Sequence, residues 1–393
     1  MSIKLLPITP FLLPDGTFDK GAAISIQAKI AGECYEPEGW DVLEFEDSAK
    51  TDHRTDSTLG DEHQSPYEHI HITMEVVGPK ILMMILNNEK QYTTSEKSAR
   101  YTPMDASSNL SYREIELYDK WFAYLKRIID SKYGSTFKAG KIVKLAQENA
   151  RYFCSVFTTT KMIHTIPWVQ LNRIVEWMSD FCDEYCGVHT FYGQVAAQLE
   201  TFLDDLHTLN LIDQRARSNR KERILSLFTD TLVDEQWGWS YSTNYLASFA
   251  QLAQAHRHRT LWYSMLPPDP DSPKFFIPPV LNDDYQAAEE WLDDMHSVAS
   301  IYPQGMMVDV NEQGTIQAFI LKLKERLCSA AQLEIMFQTK YTLAKMHEDL
   351  WIENPSLADM LEPYIHGARC TFPDYTCAKP CGLAEGVDLS RLI

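Results

Sequence analysis

No apolar run in this 393-residue chain approaches the roughly 18–20 residues that span a bilayer, so a helical membrane protein is not expected. The opening stretch Met1–Phe11 holds one lysine and two prolines and no long apolar core, unlike a secretory signal. A soluble, cytoplasmic protein is the expectation. Positive charge is scarce: 36 basic residues stand against 55 acidic ones, for a formal net charge of −19. That balance excludes the broad basic face that nucleic-acid polymers need. It leaves room for a small anionic ligand, because a few local arginines set the field of one cleft. Cysteine is sparse and unpaired in pattern. The eight residues Cys34, Cys154, Cys182, Cys186, Cys328, Cys370, Cys377 and Cys381 contain no C-x2-C pair, and in a long chain of this kind they read as thiols. Four soft or borderline ligands in the tail, His366, Cys370, Cys377 and Cys381, approach a zinc set. Their spacing departs from the common knuckles, so no metal is expected. Cys182-x3-Cys186-x2-His189 is a spacing that ordinary helix packing produces.

What is present suffices for folded cores: 45% of residues are hydrophobic and 11% aromatic. At ~150 residues per domain the length corresponds to about two to three domains. Lys50–Gln64 is polar and reads as a surface loop. Tyr67–Val77 places Ile70, Ile72, Met74 and Val76 on one side, the pattern of a half-buried strand. Lys80–Leu86 starts a helix, and Gln91–Pro103 is turn-like. From Tyr112 the apolar residues follow helical spacing: Leu117, Trp121, Tyr124, Leu125 and Ile128; Leu171, Ile174, Val175 and Met178; Val195, Leu199, Phe202 and Leu206. Asp213–Glu222 is the most charged stretch of the middle and marks a domain boundary. Trp237–Tyr245 opens the second half. Helices are expected at Tyr285–Ser300, Gln313–Leu327 and Thr339–Trp351, with a proline-rich loop at Pro267–Pro279. The fold class is α+β with helix dominating, in two domains, 1–212 and 213–393.

Chemistry concentrates in Gln254–Ala255–His256–Arg257–His258–Arg259, two arginines, two histidines and an amide donor in six residues. The flank Ser248–Ala253 reads as helix, so the cluster stands at a helix end. Arginine forks grip phosphates or uracil-like carbonyls in two-point contacts. The competing reading is a helix C-terminus stabilised by basic residues against its dipole. The first half carries two more polar clusters, His63-x-Ser65-Pro66-x-Glu68-His69 and Glu96-x-Ser98-x-Arg100-Tyr101. Serine and arginine two apart in an extended loop point the same way and can donate to one phosphate.

Together these segments resemble the flavin-dependent thymidylate synthases, in which Gln-x-x-Arg-His-Arg is followed shortly by Ser-x-Arg-Tyr. The chain is similar to two fused copies with that motif divided between them, a pseudo-dimer of tandem domains. The first copy keeps His63, Ser65, Pro66, Glu68, His69, Glu96, Ser98, Arg100 and Tyr101. It has Asn88–Glu89–Lys90 in the Arg-His-Arg place and Ile85 in the glutamine place. The second keeps Gln254, Arg257, His258 and Arg259 but has Pro267 and Asp269 in the Ser-x-Arg place. Its late helix carries Arg326 and then Ala331–Gln332-x-Glu334–Ile335, while the family's Ala-Arg pair survives in the first copy as Ala150–Arg151. The losses are complementary, so one set of each half is left.

The resemblance implies an enzyme that passes a one-carbon unit from methylenetetrahydrofolate by way of reduced FAD to C5 of dUMP, with NADPH supplying electrons. It places Ser98, Arg100, Gln254, Arg257 and Arg326 on the nucleotide, with Arg257 and Arg326 the catalytic candidates. It places Ser65, Glu68, Glu96, His258 and Arg259 near the flavin, with His63 and Tyr101 near flavin or folate. Two departures concern flavin contacts. The family's Asn-x-Arg falls on Gly314–Gln317 in the second copy and on Gln170 and Asn172 in the first. Alternatives are a relative that methylates or hydroxymethylates another pyrimidine nucleotide, and a non-catalytic nucleotide- or flavin-binding relative. Family members assemble as four copies, so the fused chain is expected to be a homodimer.

Overall fold

A computed structural model of the protein describes residues 1–34, 36–60, 67–89, 92–98, 109–216, 225–228, 237–256, 258, 260–373, 375, 381 and 391–392. In chain order the elements are β1 (Ser2–Leu5), α1 (Lys20–Ala31), α2 (Trp40–Leu43), α3 (Ser48–Gly60), β2 (His71–Pro79), α4 (Lys80–Asn88) and β3 (Thr93–Glu96). Then come α5 (Tyr112–Tyr133), α6 (Ala139–Ala150), β4 (Thr159–Pro167), α7 (Trp168–Tyr185) and α8 (Phe191–Thr208). The remainder is β5 (Ser240–Ser248), α9 (Phe249–Ala255), β6 (Trp262–Met265), β7 (Lys274–Phe275), α10 (Tyr285–Ser297), β8 (Met306–Thr315), α11 (Ile316–Arg326), α12 (Leu333–Glu353) and α13 (Pro355–Leu361). The fold is α+β and helix-rich, as expected. Among the described residues no helix is long and apolar enough to cross a membrane.

Two compact units divide the chain: Met1–Lys97 with Thr159–Ser226, and Ser98–Thr158 with Leu227–Ile393. The stretch 98–158, which sequence places in the first domain, therefore groups with the second unit. Its apolar stripe finds its partner there: the Trp121 and Phe153 rings lie 4.8 and 4.4 Å from that of Trp291 on α10. Asp294 of the same helix accepts from Trp121 Nε1 (3.2 Å) and Arg113 (3.0 Å).

In the first unit an antiparallel sheet runs β1-β2-β4-β3. Ile72, Met74 and Val76 are buried on one face of β2, opposite Ile166, His164 and Met162 of β4. Every residue of α4 from Ile81 to Asn88 is buried, so this helix is apolar nearly all round and lies in the core. The strand begins at His71, later than its sequence pattern, after a turn at Tyr67–His69. Lys50–Gly60, expected as loop, belongs to α3. Its packing stripe is threonine: Thr51, Thr55 and Thr58 are buried, and the last two hydroxyls donate to the carbonyls of Thr51 and Arg54. A stripe of that kind has no apolar periodicity to reveal it.

In the second unit the sheet order is β5-β8-β6, with β7 also on β8. The helix expected from Gln313 starts at Ile316, because Gln313 and Gly314 are still paired with Ser242 and Tyr241 and the Thr315 side chain caps α11. Likewise α10 stops at Ser297, and Thr339–Trp351 is the later part of α12.

The two units repeat one topology. β2 and β3 recur as β5 and β6 at a constant shift of 169 positions, 71 to 240 and 93 to 262. β4 recurs in β8 at a shift of 148, 167 to 315, in the same register: His71 faces Pro167 as Ser240 faces Thr315, and Thr93 faces Thr165 as Trp262 faces Gln313. α7 and α11 follow at the same shift, 168 to 316. Residues of these elements thus have counterparts in the other half, a correspondence that extends at the same shifts into α4 and α9.

Candidate functional site

The helix end predicted to carry chemistry is α9. Its sequence Phe249–Ala255 begins after Ser248, whose Oγ accepts from the Gln251 backbone N–H at 3.0 Å, an N-cap. Past its end His258 is buried, only 4% exposed. Arg326, the last residue of α11, donates through Nε to His258 Nε2 at 2.6 Å and through Nη2 to the Gln254 carbonyl at 3.3 Å. His258 accepting at Nε2 is the neutral imidazole with its proton on Nδ1, 3.7 Å from the Glu325 carboxylate. Gln254, His258 and Arg326 are thus brought together. The helix-end carbonyl is met by Arg326, from 72 residues away. Arg257 and Arg259 lie outside the described residues.

A second layer holds the start of the same helix. Glu334 on α12 accepts from Ser248 N at 2.6 Å, from Ser248 Oγ at 2.5 Å and from Tyr152 OH at 3.0 Å. Gln332 Nε2 donates to the same phenol oxygen at 2.6 Å. Burial pushes the Glu334 carboxyl up to about 7, against the hydrogen bonds from Ser248 and Tyr152 and the nearby Arg151 charge, which lower it. The same burial drives the Tyr152 phenol well above its usual range. Arg151 itself is 4% exposed, and its Nε and Nη2 meet no acceptor among the described residues. A buried guanidinium with open donors is suited to an anion or a carbonyl. Arg151, Tyr152 and Glu334 received no role from sequence. The Ala-Arg and Ala-Gln-x-Glu-Ile letters were visible, but their meeting across 182 residues was not.

In the first unit the counterparts differ. Met178 stands at the Arg326 position, Asn88 at Arg257 and Glu89 at His258. Glu89 Oε1 accepts from Ser226 N (2.7 Å) and Oγ (2.9 Å), and Asn88 Nδ2 donates to Ser226 Oγ (2.7 Å). The acid that replaces histidine therefore clasps the chain's own Ser226. Glu68 and Glu96 are ion-paired: Glu68 with Arg173 at 2.9 Å, Glu96 with Lys80. Ser98 is half-buried and opens the segment grouped with the second unit. His63, Ser65, Arg100 and Tyr101 lie outside the described residues.

Residues 21–181 match the sequence profile of the family described as thymidylate synthase complementing protein. The match spans 161 of the 393 residues, fewer than half of the chain. No curated protein matches the chain. Among solved structures, the UMP/dUMP methylase PolB of Streptomyces cacaoi with 5-Br dUMP is 18% identical over 47% of this chain and 92% of its own, with a TM-score of 0.28. Thymidylate synthase X of Helicobacter pylori with FAD and dUMP is 13% identical over 55% of this chain and 95% of its own, with a TM-score of 0.32. Likeness of that size carries nothing about the ligands of this chain.

Within the family segment, Asn172 is fully buried and holds the chain's exit from α8. Its amide donates to the Trp168 and Leu211 carbonyls (3.0 and 3.2 Å), and its oxygen accepts from Asp213 N (2.8 Å). Gln170 faces Arg173 at 3.5 Å. In the second unit Thr315 caps α11. The pairs expected at the flavin thus include two structural residues. In the tail, His366 pairs with Glu362 at 3.2 Å. Cys370 is half-buried and Cys381 exposed, and Cys377 lies outside the described residues. Among the described residues no three His, Cys, Asp or Glu side chains are grouped to hold a metal.

Proposed function

We propose that the protein is a flavin-dependent thymidylate synthase-like enzyme made of two fused copies, methylating C5 of dUMP to give dTMP. The observation that carries this reading is the composition of the second unit. The segment 98–158, from the first half of the chain, contributes Arg151 and Tyr152 to the layer that holds α9, whose end gathers Gln254, His258 and Arg326. Residues from both halves of a divided motif then serve one site. The open donors of Arg151 fit a nucleotide phosphate or a pyrimidine carbonyl, and so do the guanidinium forks of Arg257 and Arg100; Arg326, two of whose nitrogens are already engaged, adds its charge.

Ser98, Arg100, Arg151, Gln254, Arg257 and Arg326 hold the nucleotide in this reading. An arginine facing the uracil ring stabilises the enolate-like charge that builds as C5 attacks, an effect on the order of 3 kcal/mol. His63, Ser65, Glu68, Glu96, Tyr101, His258 and Arg259 face the flavin. The ion pairs of Glu68 and Glu96 with Arg173 and Lys80 remove charge that would repel the pyrophosphate of FAD. Reduced FAD, when bound, relays the one-carbon unit of methylenetetrahydrofolate, and NADPH supplies the electrons.

The test is an absorbance spectrum of the purified protein, followed by tritium release from C5-labelled dUMP. Flavin bands and release are expected; protein that neither carries nor takes up FAD would sink the reading. A second reading is a relative acting on another pyrimidine nucleotide. Flavin binding with turnover of that nucleotide and none of dUMP distinguishes it.

A further inference from the structure

We infer that Glu334 is a positioning residue: by holding the first turn of α9 it sets where Gln254 and His258 stand. The inference rests on the proposed roles of Gln254 at the nucleotide and His258 at the flavin. A seven-residue helix has no stability of its own, so its place is set by what grips its ends. Arg326 grips the last turn at the Gln254 carbonyl, and Glu334 grips the first through both the N–H and the hydroxyl of Ser248. Ser248 is in turn the N-cap, so its hydroxyl donates to Glu334 while accepting from Gln251 N. Tyr152, itself held by Gln332, completes the carboxylate's partners.

The first unit supplies an internal control. At the shift of 169 the counterpart of Ser248 is Pro79, which has no N–H to offer and makes no side-chain cap. The counterpart helix α4 is fixed instead by the burial of Ile81, Leu82, Met83, Met84, Ile85 and Leu86. The buried side chains of α9 are smaller and more polar, Ala250, Gln251, Leu252 and Ala253 among them. The same strand-to-helix turn therefore forms without a buried acid, and burying a carboxylate is costly. The half that keeps it is the half whose helix ends in Gln254 and His258.

The experiment uses the full chain with Glu334→Gln, Ser248→Ala and Ser248→Thr, at pH about 8, where the carboxyl is ionised. Hydrogen exchange is followed over residues 249–256 and, as reference, 80–88, together with dUMP affinity. Glu334→Gln and Ser248→Ala are expected to speed exchange over 249–256 about tenfold and to weaken dUMP about tenfold, the loss of one charge-assisted hydrogen bond. Exchange over 80–88 should not rise, and Ser248→Thr, which keeps the hydroxyl, should behave as the parent. Unchanged exchange over 249–256, a rise over both stretches together, or faster local exchange with unaltered dUMP affinity each overturns the inference. If the parent chain binds no dUMP, the proposed function falls, and exchange alone decides whether Glu334 places α9.

Discussion

Arg326 commits one guanidinium nitrogen to His258 and another to the α9 carbonyl end, and the first unit holds Met178 in its place. That exchange is a natural experiment within one chain: the helix face accepts a thioether at the matching position. Arg326→Met should therefore leave the melting temperature within a few degrees while weakening dUMP about a hundredfold, ~3 kcal/mol at 1.4 kcal/mol per decade. A calorimetric titration beside a thermal melt reads both. Glu334 gives a prediction in pH. Burial raises its carboxyl from 4.5 to about 7, so the folded state prefers the neutral acid. Its contribution to stability is full below pH about 4.5 and is lost as pH rises through about 7, ~3 kcal/mol in all at about 1.4 kcal/mol per unit. Glu334→Gln should gain on the parent in urea midpoint between pH 5 and pH 8. A gap that stays constant with pH would show that the carboxyl is not raised. The ionised carboxylate that orders α9 is thus expected to cost global stability, a common trade at functional sites.

At the scale of elements the two halves show what the fold demands and what it tolerates. Lys322 on α11 and Glu312 on β8 are both fully buried, bonded at 2.6 Å, with Tyr241 and Tyr245 donating to the same carboxylate and Gln338 accepting from the lysine. Burial pulls the Lys322 ammonium below its usual range. Their counterparts in the first unit are Ile174 and His164, so the architecture does not need the pair. Lys322→Met alone should cost ~3–5 kcal/mol, because it strands a buried carboxylate. Adding Glu312→Gln should recover most of that in the denaturation midpoint, and failure to recover would mean the charge itself is required. The same pair explains why β8 was illegible. Glu312 occupies a core position, and its partners are far off in sequence, so apolar alternation breaks there. β2, whose core face is Ile72, Met74 and Val76, could be read directly. The helix at Ser248–Ala253 was readable from its cap and small residues, and the cluster beyond it from its letters. Arg151 and Glu334 were not, because their meaning lies in a contact across the two halves of the chain. The grouping of 98–158 with the second unit was hidden for the same reason: Trp121 reveals an apolar stripe but not that Trp291 covers it.

For the whole molecule the repeated topology makes stoichiometry the discriminating quantity. Two intact family copies would bring two nucleotide sites per chain, while complementary remnants bring one. The first unit offers Asn88, Glu89 and Met178 where the second has Arg257, His258 and Arg326. Glu89 is occupied with Ser226, leaving that place acidic and internally satisfied. The second half in turn has Pro267 and Asp269 where the first has Ser98 and Arg100. On a chain of net charge −19 an anionic nucleotide is drawn to local cations, and the Arg-His-Arg letters stand in the second half alone. Calorimetry should therefore count one dUMP per chain, and light scattering should find twice the 45.2 kDa chain mass, the fused equivalent of a four-copy assembly. Glu89→Ala should leave the count at one, since removing the acid restores no arginine. Two equivalents of dUMP per chain, with or without that substitution, would mean that each half completes its own site and that the divided-motif reading is wrong.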